Sequence, residues 1–298
     1  MTYIVVQFEY NNRHGMYEKL LRVFEQSVKE NDPKNDVVVK RISPPKVKSK
    51  QCFSSNTLKL GVWVEEMEKL PEGHEICFID CDMMVLKPSD DVFKNDFDIC
   101  YTKRPRPQNS RLPVNGGVIF CKNNERSRHF MRHFRIINDK MYNDRKFHER
   151  WRKKYAGMNQ AAFGYLLEHP KEYTAKLFGV ECNTYNVCNE SWHNVGKNQN
   201  IRIVHIKSAL RKMCVTGSCT MPNCKKAVEI WNQLYKNAGG KDIQVKMTSA
   251  KVSPFSKKKS VVIPGTKRNV HRLDMGKETD ENIRCLIGRK TKRRVYIP

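Results

Sequence analysis

Short apolar runs alternate along the chain with longer segments in which apolar side chains recur every three or four residues. Residues 3–8 and 36–40 are compact apolar runs, which are typical of strands. Between them, the apolar side chains of residues 16–29 recur at near-helical spacing, from Leu20 to Val28. This order predicts that the chain opens with a strand, a helix and a second strand.

The same two patterns continue as far as residue 236. They predict further strands at 75–79, 97–101, 117–121 and 201–206, and further helices at 56–69, 125–141, 158–168 and 225–236. Nearly every side chain of 75–79 is apolar, which predicts a buried strand of a parallel sheet. We therefore expect an α/β fold with a mostly parallel sheet flanked by helices.

The composition changes after Gly240. Residues 241–298 are rich in lysine and are interrupted by proline and glycine, in a pattern compatible with short strands at 260–263 and 294–297. We expect a folded domain of residues 1–240, followed by a basic C-terminal appendage of residues 241–298.

The charge of the chain is concentrated in two places. The 298 residues include 56 Lys and Arg against 31 Asp and Glu, a formal net charge of +25. Residues 101–154 carry +12 and residues 241–298 carry +11 of this charge. Such clustering favours a polyanionic partner such as nucleic acid, because Lys and Arg neutralise phosphates. The alternative is an ordinary solvated basic surface.

The eleven cysteines are scattered, and several lie within apolar runs. We expect reduced and mostly buried thiols, as in an intracellular protein. The later cysteines lack the paired CxxC spacing that is typical of structural zinc sites; they are Cys182, Cys188, Cys214, Cys219 and Cys224. No apolar run approaches the roughly 20 residues of a membrane-spanning helix. The first residues favour a strand over a signal peptide, so a cytoplasmic location is expected.

Two carboxylates follow the predicted strand 75–79, at Asp80 and Asp82. Placing like charges together at the end of a buried strand costs free energy, and a divalent cation removes that cost. Hard oxygen ligands suit Mn²⁺ or Mg²⁺, and such an ion can hold the diphosphate of a nucleotide. The alternative is a strand-end turn with two solvated acids.

The residues around these acids extend the pattern. The segment 78–88, with Asp80-Cys81-Asp82, resembles the DxD segment of GT-A glycosyltransferases, and three later segments resemble those of glycosyltransferase family 8 in order and spacing. These segments are Asn115-Gly116-Gly117 for Asn-x-Gly, Asn159-Gln160 for an acidic residue followed by Gln, and His205-x-x-Ser208-x-x-Arg211 for His-x-x-Gly-x-x-Lys. Asn159, Ser208 and Arg211 depart from the family's usual residues, and its Pro-Trp is absent. The resemblance covers roughly residues 3–210.

The resemblance implies a GT-A fold and an enzyme that transfers sugar from a nucleotide-sugar, with a UDP-sugar as the expected donor and Mn²⁺ (or Mg²⁺) as the cofactor. It implies Asp80, Asp82 and His205 as metal ligands, and Gln160 and Asn115 as catalytic residues. The donor-binding residues would be Lys59, Asn115, Gly116, Gly117, Lys207 and Arg211. A solvated helix lysine is an equal alternative for Lys59. In retaining relatives, the residue that corresponds to Gln160 lies near the anomeric carbon. An inverting enzyme would instead need a general base, and Asp98 and Glu181 are the candidates for it.

The acceptor is predicted from charge and aromatic residues. The residues that could bind it lie in the basic stretch 101–154 or between and beside the resembling segments; they are Trp151, Tyr155, Trp192, Arg128, Arg132 and Arg135. They favour an acceptor within nucleic acid, such as a hydroxymethylated DNA base flipped into the cleft, as in phage DNA-modifying glycosyltransferases. A phage enzyme would then act in the host cytoplasm. The alternatives are transfer to a cell-surface polymer or lipid-linked glycan, and a non-catalytic nucleic-acid-binding protein on a degenerate GT-A fold.

Overall fold

A mixed six-stranded sheet forms the centre of the described structure. The structure is a computed structural model that describes residues 1–9, 15–43, 51–104 and 113–248, without the side chains of residues 51–53. The chain divides into two compact units, Met1–Met247 and Thr248–Pro298. All but the first residue of the second unit lies outside the described residues.

The strands have clear bounds and pairings. In the described residues they are β1 (Thr2–Phe8), β2 (Asp36–Ile42), β3 (Glu75–Asp80), β4 (Met83–Val85), β5 (Ile99–Lys103), β6 (Val114–Lys122), β7 (Leu177–Glu181), β8 (Ile203–His205), β9 (Ser218–Cys219) and β10 (Lys246–Met247). The large sheet has the order β2-β1-β3-β6-β5-β7. Only β6 runs antiparallel to its neighbours in this sheet. The expected mostly parallel sheet is therefore confirmed.

Helices cover both faces of this sheet. They are α1 (Met16–Asn31), α2 (Gln51–Lys69), α3 (Glu125–Asn143), α4 (Arg145–Arg152), α5 (Asn159–Glu168), α6 (Cys182–Tyr185), α7 (Ser208–Thr216) and α8 (Lys225–Asn237). Successive β1 side chains point to opposite faces. Ile4 and Val6 pack in one hydrophobic cluster with α2, α3 and α5, whereas Tyr3 and Val5 pack in another with α1.

A small second sheet is formed by β4 and β8. They pair antiparallel, with Met83 opposite His205 and Val85 opposite Ile203. A third hydrophobic cluster, built on α7 and α8, packs behind this pair. The pairing matters for function because it brings His205 beside the end of β3.

Most predicted elements are confirmed, including the opening strand, helix and strand and the helices 125–141, 158–168 and 225–236. The prediction missed the strands β4, β7, β9 and β10 and the helices α4, α6 and α7. Three residues of β4 are too few for a periodic pattern, and its pairing with β8 decides its conformation. The sequence of α4 is strongly polar, and its start depends on the Asp144 side chain, which accepts hydrogen bonds from the backbone of Lys146 and Phe147.

Other predictions fall partly or wholly outside the described residues. The strands predicted at 260–263 and 294–297 lie outside them. The domain boundary predicted at residue 240 stays a prediction. The nine cysteines with described side chains are free and buried, as expected. No helix among the described residues is both long and apolar enough to cross a membrane.

Candidate metal centre

Three potential metal ligands meet where β3, β4 and β8 come together. Asp80 ends β3, Asp82 precedes β4, and His205 ends β8 opposite Met83. One ligand atom from each of Asp80, Asp82 and His205 lies within 4.8 Å of the others, and the part of the chain that the structure describes holds no other such group. Two carboxylates and one imidazole form a donor set that suits Mn²⁺. The residues present therefore fit the predicted ion.

Two cations flank the carboxylates, and the sequence analysis named both among the expected donor-binding residues. Lys59 Nζ of α2 lies 2.5 Å from Asp80 Oδ1. Arg211 of α7 donates to Asp82 Oδ2 at 2.5 Å and to the Tyr17 hydroxyl of α1 at 3.1 Å. Helices from distant parts of the chain thus place positive charge beside each carboxylate of the Asp-Cys-Asp segment.

The buried charges of the site shift each other's protonation. Burial alone would raise the pKa of Asp82, but His205 and Arg211 outweigh it and hold that pKa well below its usual range. Burial likewise disfavours the charged form of His205, yet Asp82 raises the pKa of the imidazole to about 9. Asp82 is therefore ionised across the physiological range.

The Asn-Gly-Gly segment reaches the site through a bulge in β6. In β5, Tyr101 pairs with Ile119 of β6, whereas the next residue, Thr102, pairs with Asn115 of β6. This shift in register marks the bulge. A Cβ at Gly117 would lie 2.7 Å from Met83 Cε and 2.9 Å from His205 Cε1. Only glycine lets the His205 ring lie this close to the backbone of β6.

Gln160 lies on the other side of this segment. A Cβ at Gly116 would be 3.6 Å from Gln160 Cγ, so the first turn of α5 packs its side chain against the bulge. The Asn115 side chain is buried; its Nδ2 donates to Cys188 Sγ at 2.8 Å and its Oδ1 accepts from Gly117 N at 3.1 Å. Asn115 therefore holds the backbone of the bulge.

A buried thiol joins the site to Lys207. Burial raises the pKa of Cys188, but a hydrogen bond with His205 and the positive charges of Lys207, His205 and Arg104 outweigh it and lower the pKa. Lys207 precedes α7 and is half-buried. Lys207, the third cation expected to bind the donor, therefore lies near His205.

The three aromatic residues predicted to bind the acceptor are buried. Trp151, Tyr155 and Trp192 are 9%, 7% and 2% exposed and pack in hydrophobic clusters. Buried rings offer little surface for stacking on a base or a sugar. Their role in acceptor binding stays a prediction.

The three predicted arginines lie on α3 and bind groups at the surface or at helix ends. Arg128 donates to Asn123 and to the Leu70 carbonyl, and Arg132 donates to Glu68 at 2.7 Å. Arg135 lies 3.7 Å from Glu65. Each guanidinium therefore already has a partner within the protein.

Asp98, one candidate base, is used in holding α3. Its carboxylate accepts from Arg126 at 2.8 and 2.9 Å, from Asn124 at 2.7 Å and from the backbone of Lys176 at 2.7 Å. These bonds leave Asp98 little capacity to accept a proton from a substrate. The structure thus gives this buried carboxylate a structural role.

Sequence reasoning missed several residues around the cluster. Tyr17 binds Arg211, Asn186 binds His205 Nδ1, and Thr102 binds Asn186. None of these residues belongs to a recognised segment, and each reaches the site only through tertiary packing. No signal in the sequence marks them.

Comparisons with known proteins give structural neighbours only. No protein-family model matches the chain, and no curated protein matches it in sequence. Among solved structures, it is similar to a glycosyltransferase involved in the glycosylation of the major capsid of PBCV-1. The identity is 13% and the TM-score 0.49, over 71% of this chain and 96% of that one.

Two other solved structures are also similar at low sequence identity. One is the galactosyltransferase LgtC in complex with donor and acceptor sugar analogs, at 9% identity and a TM-score of 0.49, over 80% of this chain and 96% of that one. The other is mouse xyloside xylosyltransferase 1, at 10% identity and a TM-score of 0.41, over 69% and 97%. All three of these proteins are glycosyltransferases.

Proposed function

We propose that the protein is a metal-dependent glycosyltransferase, which moves a sugar from a nucleotide-sugar donor to a hydroxyl group. The observation that carries this proposal is the convergence of Asp80, Asp82 and His205 within 4.8 Å, with Lys59 and Arg211 beside the two carboxylates. Asp80, Asp82, His205 and Arg211 belong to separate segments of the sequence that resemble GT-A enzymes, whereas Lys59 lies outside these segments. A diphosphate is the ligand that an acidic metal site surrounded by cations suits best.

Each residue has a defined part in this proposal. Asp80, Asp82 and His205 would hold Mn²⁺ or Mg²⁺, which when bound supplies positive charge to the donor diphosphate. Lys59 and Arg211, with Lys207 nearby, add fixed positive charge where negative charge grows on the leaving diphosphate. Fixed charges are effective here because the surrounding side chains are largely buried and need little reorganisation.

The sugar would lie beside Gln160. Its Cγ packs against Gly116, and its neutral amide can stabilise positive charge near the anomeric carbon, which supports a retaining reaction. Asn115 and Gly117 keep the backbone of β6 close enough for this contact. The resemblance to family 8 favours a UDP-sugar as the donor.

For the acceptor, we propose a hydroxymethylated base in DNA. The support is electrostatic: the segments 101–154 and 241–298 carry +12 and +11 of a net charge of +25. The Arg132 and Arg135 side chains are 56% and 42% exposed and could bind phosphates by exchanging their carboxylate partners. The buried reduced cysteines support a cytoplasmic location for this reaction.

The activity is tested with radiolabelled nucleotide-sugars and Mn²⁺. We expect donor hydrolysis or transfer by the wild type, a loss of at least about 10²-fold in Asp82→Asn, and no change in Asp96→Asn, whose side chain is 86% exposed. Full activity in EDTA or in Asp82→Asn would contradict the proposal.

The acceptor is tested separately by offering hydroxymethylated DNA, plain DNA and soluble glycans at low salt. We expect transfer only to hydroxymethylated DNA. Transfer to glycans but never to DNA would leave the glycosyltransferase proposal standing and reject the DNA acceptor.

A further inference from the structure

The His205 ring is contacted at both of its nitrogens. Nε2 lies 3.4 Å from Asp82 Oδ1, and Nδ1 lies 3.1 Å from Asn186 Oδ1. An imidazole binds a metal through a nitrogen that carries no hydrogen. Which nitrogen carries the hydrogen therefore decides whether His205 can complete the cluster with Asp80 and Asp82.

A directed chain of hydrogen bonds determines which atom Asn186 presents to His205. Asn186 Nδ2 donates to Thr102 Oγ1 at 3.0 Å, and the Thr102 hydroxyl donates to the backbone carbonyl of Asn115 at 2.9 Å. Because Thr102 has one hydroxyl hydrogen, it can only accept from Asn186. This leaves Asn186 Oδ1, an acceptor, facing His205, so Nδ1 must carry a hydrogen.

Burial makes this arrangement hard to reverse. Thr102 and Asn186 are fully buried, and Asn115 and His205 are 4% and 7% exposed. If the Asn186 amide turned over, its oxygen would face a Thr102 oxygen whose hydrogen is already used. Unpaired polar groups in such surroundings are strongly disfavoured.

The backbone also brings Asn186 to His205. Val187 forms a bridge with Val204, and His205 N donates to the Val187 carbonyl at 2.9 Å. Asn186 follows the short helix α6 and is thus held beside β8, although it lies 19 residues away in sequence.

We propose that Asn186 is a positioning residue of the metal centre. It holds the hydrogen on His205 Nδ1, so that Nε2, the nitrogen that faces Asp82, is the one that gives up its proton and binds the cation. The proposal rests on the proposed function, since it requires Asp80, Asp82 and His205 to bind a divalent cation. Outer hydrogen-bond partners of this kind change metal affinity by about 10–100-fold.

The first test measures Mn²⁺ binding to the full chain by electron paramagnetic resonance. We expect Asn186→Leu to weaken Mn²⁺ binding about 10–100-fold. We expect the Mn²⁺ affinity of Asn186→Asp to stay within a few-fold of the wild-type affinity. A carboxylate accepts the same hydrogen bond from Nδ1, whereas leucine cannot. Asn232→Leu is the matched control, because Asn232 is buried on α8 and its amide has no hydrogen-bond partner in the described part of the chain.

The second test detects the tautomer itself. Histidine labelled with ¹⁵N in the Cd²⁺-loaded wild type should give a His205 signal with Nδ1 protonated and Nε2 bound to the metal. Asn186→Asp should keep this signal and Asn186→Leu should lose it, while circular dichroism shows that both variants are folded. A purely structural role for Asn186 would not move this signal in a folded variant.

Two outcomes overturn the proposal alone. One is wild-type Mn²⁺ affinity in Asn186→Leu while Asp82→Asn fails to bind. The other is loss of the Nε2-bound signal in folded Asn186→Asp, which decides the matter even if Asn186→Leu does not fold. Equal Mn²⁺ binding by the wild type and Asp82→Asn, or none by either, overturns the proposed metal centre together with this inference.

Discussion

The indole Nε1 of Trp192 donates a hydrogen bond to the backbone carbonyl oxygen of His205 at 3.1 Å. His205 N is bonded to the Val187 carbonyl, so both backbone polar groups of His205 have partners. Trp192 thus supports the candidate metal ligand from within the hydrophobic core, a role different from the acceptor stacking that its sequence context suggested.

Replacing Trp192 with Phe keeps an aromatic ring but removes the donor to His205. We expect the free energy of unfolding to fall by about 0.5–1.5 kcal/mol, because the His205 carbonyl loses one of its two donors and keeps Lys207 N at 3.1 Å. We also expect Mn²⁺ affinity to fall several-fold. Urea unfolding and Mn²⁺ titration measure these effects. Trp231→Phe is the control, since Trp231 is fully buried and its Nε1 has no partner among the described residues; equal Mn²⁺ affinities in the two variants would contradict the prediction.

Gly117→Ala should displace His205. The added Cβ would lie 2.9 Å from His205 Cε1 and 2.7 Å from Met83 Cε. We expect a loss of about 1–3 kcal/mol of stability from overpacking and a clear loss of Mn²⁺ affinity. In Gly116→Ala, where the nearest atom is Gln160 Cγ at an ordinary 3.6 Å, Mn²⁺ affinity should be kept. The prediction is wrong if both alanine variants bind Mn²⁺ equally.

Lys59→Gln removes the cation beside Asp80. The ammonium group also lies 4.5 Å above the Trp63 ring, so its position is well determined. We expect kcat/KM for the nucleotide-sugar to fall about 10–100-fold, since stabilisation of the leaving diphosphate is lost. Lys69→Gln, on the exposed end of the same helix, should behave as the wild type in this assay. A fall of the same size in both variants would argue against a role for Lys59 in donor binding.

Asp98 should make stability depend on acid pH. Burial raises the pKa of its carboxyl, but Arg126 and the other donors outweigh this and hold the pKa below its usual range. This contribution is present above the unfolded-state pKa of about 3.9 and is lost as the pH falls through the lower folded-state pKa. Because Arg126 is 60% exposed, we expect only about 1–3 kcal/mol.

Urea unfolding of the wild type and Asp98→Asn at neutral and acid pH measures this contribution. The two proteins should differ most at neutral pH and converge in acid. A difference that stays constant across this range would assign the effect to packing rather than to the charge of Asp98.

Removing residues 249–298 should separate binding from chemistry. The cut follows β10, which pairs with β9, so the compact unit Met1–Met247 keeps its contacts. We expect donor hydrolysis to stay unchanged, while DNA affinity falls and depends less steeply on salt, because phosphate contacts are lost. Fluorescence anisotropy with labelled DNA across a salt series measures this. Loss of donor hydrolysis in the folded, shortened protein would show that these residues belong to the catalytic core.

Much of the fold follows from local pattern. The apolar runs that become β1, β2 and β3 and the helical spacing of α1, α3 and α8 are properties of short segments, so the sequence predicts them to within a few residues. The acidic pair Asp80 and Asp82 could be recognised for the same reason. Two charges at the end of an apolar strand could also form a solvated turn, and only the surrounding segments that resemble glycosyltransferases favour a ligand site.

Other features of the site depend on contacts between distant segments. The pairing of β4 with β8 brings His205 to Asp82, and the bulge in β6 brings Gly117 against the imidazole. Asn186 reaches His205 through the same packing, without any local signal. The sequence therefore determined which side chains are available for the proposed chemistry, whereas tertiary structure decided which of them meet. Hydrogen-bond direction and burial act between segments that no sequence period connects.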